Sequence, residues 1–128
     1  MANPERIGVK RLVVGAHYGT LDFLAQRATA VIMILYTLGF MIAVFFNAPF
    51  DYASWRQLFA FKISGVFPLG QLLATLFFVS LAWHAWIGVR DIWMDYVKPP
   101  LLRVGLEVLT VLWLLACTVF FAKIIWSL

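Results

Sequence analysis

Residues 63–89, ISGVFPLGQLLATLFFVSLAWHAWIGV, carry no charged side chain apart from whatever proton His84 holds, and Lys62 and Arg90 bracket them. An α-helix rises about 1.5 Å per residue and needs roughly 20 residues to cross about 30 Å of hydrocarbon, so this stretch is long enough to span a bilayer. Two further uncharged runs flank it, 28–50 and 108–122, the second continued by apolar residues on both sides. In hydrocarbon every backbone amide must be satisfied within the protein, and the short alternating strands of a transmembrane barrel are absent from the sequence. The chain therefore reads as an all-α membrane protein, one domain over residues 1–128, with three transmembrane helices near 28–47, 66–90 and 102–126.

The composition agrees: 64% hydrophobic and 12% charged residues, with a mean hydropathy of +0.93, are too apolar for a soluble domain. A net charge of +4 invites a nucleic-acid partner, but its distribution excludes one. Seven of the ten basic residues, Arg6, Lys10, Arg11, Arg27, Arg90, Lys98 and Arg103, precede the first span or surround the second connection. Arg56, Lys62 and Lys123 take the other side. By the positive-inside rule the N-terminus and the 91–101 loop are expected in the cytoplasm, and the 48–65 loop and C-terminus in the periplasm. Interface aromatics fit, with Trp93 and Tyr96 inside and Trp55 and Trp126 outside. No cleavable signal peptide is expected, because the first apolar run begins only at Ala28 and is long enough to span. Cys117, the single cysteine, falls mid-span, where packing is its expected use.

His84 is the only ionisable side chain between Lys62 and Arg90. An imidazole at membrane depth marks a functional site by default, although an interhelical hydrogen bond would also account for it. At 100° per residue His84, Gly88, Asp91 and Asp95 fall within about 60° of one another on one helix face. Gly88 removes a side chain beside the imidazole, which lets a flat cofactor or a neighbouring helix approach. With the interface near 91–95, His84 lies roughly 10–16 Å below it.

The other polar residues also have plain uses. Asp91 suits a solvated helix end, Asp95 a loop just before Pro99-Pro100, and Tyr96 an interface anchor. Arg27 opens the first span, where it either snorkels to headgroups or meets an anionic cofactor group. Glu107 pairs with Arg103 at i,i+4, His17 is expected in solvent, and Trp83 and Trp86 are either bundle packing or cofactor walls.

RATA at 27–30, HAWIG at 84–88 and DYVKP at 95–99, set in three spans of this length, together resemble the hydrophobic membrane-anchor subunits of bacterial succinate dehydrogenase. The resemblance covers the chain after Asp22. It implies a four-subunit complex II of the inner membrane, in which a flavoprotein subunit oxidises succinate, an iron–sulfur subunit passes electrons on, and this chain and a second, cytochrome b556-type membrane subunit bind haem b and ubiquinone. The chain would belong to the enzyme without itself oxidising succinate.

By that likeness His84 is an axial ligand of the haem iron, Arg27 contacts a haem propionate, Tyr96 hydrogen-bonds a ubiquinone carbonyl, and Asp95 delivers a proton nearby. Electron-transfer haems commonly take two axial side chains, and with one histidine at membrane depth the second ligand is expected from the partner. Quinone reduction takes two electrons and two protons, which calls for a hydrogen-bond donor and a path to water. The family often has a histidine immediately before the Asp-Phe that precedes RATA. Leu21 stands there in this chain, His17 is displaced, and neither His17 nor Asp91 inherits a role. The other architecture to weigh is a cofactor-free structural anchor of the fumarate reductase type.

Overall fold

A computed structural model describes residues 16–49 and 51–128. It comprises α1 (Ala16–Asn47), α2 (Tyr52–Ala60), α3 (Leu69–Tyr96) and α4 (Pro100–Trp126). Three of these are long and apolar enough to cross a membrane. The basic residues Arg6, Lys10 and Arg11, on which the expected orientation leans, lie outside the described residues.

The helices outrun the spans expected from hydropathy. α1 starts at Ala16 rather than near 28, and α3 runs on to Tyr96 rather than stopping near 90. The reason is physical: apolar character ends at the hydrocarbon boundary, whereas helical hydrogen bonding continues through the headgroup layer. At about 1.5 Å per residue the 28 residues of α3 extend about 42 Å, against roughly 30 Å of hydrocarbon. Asp91, Asp95 and Tyr96 are consequently helical, and the expected 91–101 loop shrinks to residues 97–99. Pro99 and Pro100 enforce that break, and Pro100 at the first turn of α4 gives up an amide that a helix start leaves unbonded anyway.

The first connection holds a helix that periodicity does not reveal. Asp51 caps α2 by accepting from the Ser54 amide at 2.8 Å, while the Asp51 amide donates to the Ser54 hydroxyl at 3.1 Å. The Ser54 hydroxyl and amide hold the Asp51 carboxyl below the usual carboxylate range. After α2 the chain reverses at Ser64 and Gly65, both with positive φ, and Ile63 and Phe67 exchange backbone hydrogen bonds across the turn at 3.0 and 3.1 Å.

This reversal lays the end of α2 on the start of α3 at Gly70. A Cβ on Gly70 would overlap the Phe59 carbonyl and the Phe61 ring, so glycine is required by contact rather than by φ. Gly70→Ala is expected to destabilise the protein by about 1–3 kcal/mol, the usual cost of overpacking. A lowered Tm of the detergent-purified protein checks this. An unchanged Tm would mean that α2 yields freely.

α3 is the middle helix, with α1 and α4 packed on either side. Its buried positions are mostly small, Gly70, Ala74 and Ser80 with Gln71 and Ile87, which lets helices approach where no hydrophobic effect drives them together. Polar bonds pin α3 to α4 at both ends: Trp93 Nε1 donates to Thr110 Oγ1 at 3.1 Å, Gln71 Nε2 to the Ile125 carbonyl at 3.2 Å and Trp126 Nε1 to Thr75 Oγ1 at 3.2 Å. Between them Phe78 stacks on Phe121 with centroids 4.1 Å apart. Most large apolar side chains, including Ile34, Leu38, Phe45, Leu112 and Val119, face outward, as they do when lipid and other subunits solvate a bundle.

Candidate haem and quinone site

His84 projects from the middle of α3 onto α1, half-buried. Its Nδ1 lies 3.2 Å from the Gln26 carbonyl oxygen and 3.2 Å from Thr29 Oγ1. The Thr29 hydroxyl is itself committed as a donor, to the Ala25 carbonyl at 2.7 Å and the Gln26 carbonyl at 3.1 Å. A carbonyl can only accept, so a bare Nδ1 lone pair facing it would be repelled. The tautomer that satisfies every group carries its proton on Nδ1 and donates to α1, which leaves the Nε2 lone pair free. This is the arrangement that metal-binding histidines commonly take. The interhelical bond and the ligand role, alternatives on sequence grounds, thus use opposite ring nitrogens and are compatible.

His84 also borders a groove of about 350 Å³ lined on the α1 side by Ala30, Met33, Ile34, Thr37 and Leu38. Arg27 precedes Ala30 by three residues and Ile34 by seven, which places it on the same side of α1 one turn nearer the N-terminus. It does not open the helix as expected but lies well inside it. Its guanidinium sits 3.4 Å over the centre of the Phe23 ring, exposed, with its charge available to an anion. An apolar groove with an imidazole at its wall and a guanidinium beyond one end suits a flat, largely apolar macrocycle that carries carboxylates. Among the described residues no three His, Cys, Asp or Glu side chains converge on a metal position.

The stripe expected on α3 does not form a single surface. A Cβ on Gly88 would meet only Gln26 Nε2, at 3.9 Å, an ordinary contact, so the approach of α1 does not require glycine here. Asp91 borders a second cleft of about 780 Å³, in which Asp22, Arg27, Arg90 and Glu107 face the apolar Phe23, Ile87 and Met94. There Arg90 Nη2 holds Asp22 Oδ2 at 2.6 Å and Asp91 Oδ1 at 3.4 Å. Gln26 Oε1 and Arg90 Nε are buried at its edge without a hydrogen-bond partner among the described residues, one acceptor and one donor. Arg103 and Glu107 form the expected i,i+4 pair at 4.0 Å.

Asp95 and Tyr96 sit apart from both cavities, exposed at the C-terminal end of α3; Tyr96 is 81% exposed. Trp83 and Trp86 line an apolar groove with α4 residues Val111, Leu114 and Leu115, away from the α1 side of His84. Their place is therefore the α3–α4 packing surface. The contacts of Gln26 and Thr29 with His84, and the Asp22–Arg90 pair, are features that sequence reasoning misses. Thr29 and Gln26 give a faint signal as uncharged polar residues near the start of an apolar run.

The sequence family described as succinate dehydrogenase/fumarate reductase transmembrane subunit matches residues 1–124 of the chain. A succinate dehydrogenase hydrophobic membrane anchor subunit from Coxiella burnetii is 32% identical over 108 residues, covering 84% of this chain and 89% of that protein.

Proposed function

The chain belongs to the succinate dehydrogenase/fumarate reductase transmembrane-subunit family, and on that premise we propose that its His84 is one axial ligand of a haem b shared with a second membrane subunit. It is a membrane-anchor subunit of that oxidoreductase. In the same reading the chain also helps to form the ubiquinone-reduction site at the membrane edge. The observation that carries the haem assignment is the 3.2 Å approach of His84 Nδ1 to the Gln26 carbonyl on α1, which calls for the tautomer with Nε2 unprotonated, in a side chain that borders the groove.

A bound b-type haem supplies one-electron storage between single-electron carriers and a quinone that accepts two. This chain's residues do the rest of the work. The Nδ1–H donation fixes the plane of the His84 ring and raises the basicity of Nε2. Arg27 offers a guanidinium to a propionate carboxylate, a charge-assisted bond that sets which end of the groove the acidic edge occupies. Tyr96 donates its phenolic hydrogen to a quinone carbonyl, which polarises it toward reduction, and Asp95 carries protons between that position and water. The exposure of both at the end of α3 supports this, since a site shared between subunits must be open in the single chain. Succinate chemistry is left to flavoprotein and iron–sulfur subunits, and the second haem ligand to a cytochrome b556-type partner. Arg27, Arg90, Lys98 and Arg103 cluster toward one end of the bundle, which supports a cytoplasmic N-terminus in a bacterial inner membrane.

The test is an optical difference spectrum of the tagged protein purified in detergent with whatever accompanies it, reduced first by succinate and then by a strong chemical reductant. A b-type spectrum that appears with succinate is the expected result. Dehydrogenase subunits co-purifying without haem would leave a cofactor-free anchor instead.

A further inference from the structure

We infer that Thr29 is a positioning residue for His84, its hydroxyl serving as the side-chain acceptor that holds the proton on Nδ1 and thereby tunes Nε2 as a donor. The inference rests on the assignment of His84 as haem ligand and adds to it a residue that acts only through the ring. Two oxygens lie 3.2 Å from Nδ1, the Gln26 carbonyl and Thr29 Oγ1, and with the proton assigned to Nδ1 both are its acceptors. The carbonyl is backbone and indifferent to mutation. The hydroxyl is not, and its own hydrogen is drawn away from the imidazole by the Ala25 carbonyl at 2.7 Å, which turns its lone pairs toward Nδ1.

A threonine bonded back to its own helix needs no histidine, and that structural use alone would explain its presence in an apolar helix. The distance to Nδ1 goes beyond it. Each acceptor on Nδ1–H adds electron density to the imidazole, and a richer imidazole stabilises ferric over ferrous iron, so hydrogen bonding behind the ligand lowers the potential of the bound group. Removing one of two acceptors should therefore raise the midpoint potential without removing the ligand.

The experiment compares the purified wild-type complex with Thr29→Val, which keeps the branched shape, and Thr29→Ser, which keeps the hydroxyl. It records the haem midpoint by optical redox titration and the low-spin electron paramagnetic resonance signal. Thr29→Val is expected to retain haem with an upward-shifted midpoint and altered g-values, and Thr29→Ser to match wild type. An unchanged midpoint in Thr29→Val, or an equal shift in both variants, overturns the inference. Should Thr29→Val fail to assemble, Thr29→Ala takes its place: a raised midpoint supports the hydroxyl's role, and a wild-type midpoint refutes it. A His84→Gln complex that keeps its haem spectrum would instead remove the premise, an outcome separable from loss of the Thr29 effect alone.

Discussion

Complexes carrying His84→Gln are expected to lack the b-type bands in a reduced-minus-oxidised spectrum, while succinate oxidation by a soluble dye continues near the wild-type rate. The choice of glutamine matters. Its amide can still donate to the Gln26 carbonyl, which His84 Nδ1 approaches at 3.2 Å, so the α1–α3 contact survives and only the second ring nitrogen is lost. Alanine would instead remove the α1–α3 hydrogen bond altogether, at a cost of about 0.5–1.5 kcal/mol, mixing instability with ligand loss. Deleting a group that merely hydrogen-bonds a ligand weakens metal binding about 10–100-fold, so loss of the ligand itself should reduce haem content at least that much. The dye-linked rate should hold because the proposed function leaves succinate oxidation to the flavoprotein and iron–sulfur subunits. A spectrum unchanged by His84→Gln would remove the histidine from the coordination sphere.

The three spans are legible because 28–50, 63–89 and 108–122 are free of fixed charge, and charge burial is what a bilayer forbids most strongly. Their ends are not. Asp22, Arg27, Asp91 and Asp95 all lie on helix, because in the headgroup layer a charged side chain meets water and phosphate at little cost while the backbone keeps its bonds. α2 is hidden for a related reason: nine residues are too few for a clear period, and its strongest local signal, Asp51 three residues before Ser54, is a cap that flanking sequence alone can also explain as a turn.

At the site, His84 stands out alone because ionisable groups at that depth are rare. Its partners require three dimensions. The Gln26 carbonyl is a backbone atom and has no residue signature at all, and Thr29 is 55 positions away in sequence. Arg90 reads as one more inside-facing cation, whereas in the fold it is tied to Asp22 across 68 positions, joining the same two helices about one turn and a half beyond the histidine. Arg27 lines the charged cleft and lies one turn from Ala30 of the His84 groove on the same side of α1.

Tyr96→Phe should lower quinone reduction about 10–100-fold while dye-linked succinate oxidation and haem content remain as in wild type. The phenol is the last residue of α3, and the following Val97 to Pro99 segment cannot extend the helix, so the ring is held at the bundle's edge rather than within it. Phenylalanine keeps the ring and removes only the donor. Charge gathers on the quinone oxygen as electrons arrive, and a hydrogen bond to a charged acceptor contributes about 1.5–3 kcal/mol, which sets the expected loss. Haem content should not change, since Tyr96 lies twelve residues from His84, about 18 Å along α3 and on a different side of the helix. This separation is what makes the pair of variants informative: His84→Gln acts on the spectrum first and Tyr96→Phe on quinone turnover alone. Steady-state rates with a short-chain quinone and with the dye, taken on one preparation, give the comparison. Parallel loss of both rates would show that Tyr96 supports the fold or the docking of the soluble subunits, and quinone turnover at the wild-type rate would place the donor elsewhere.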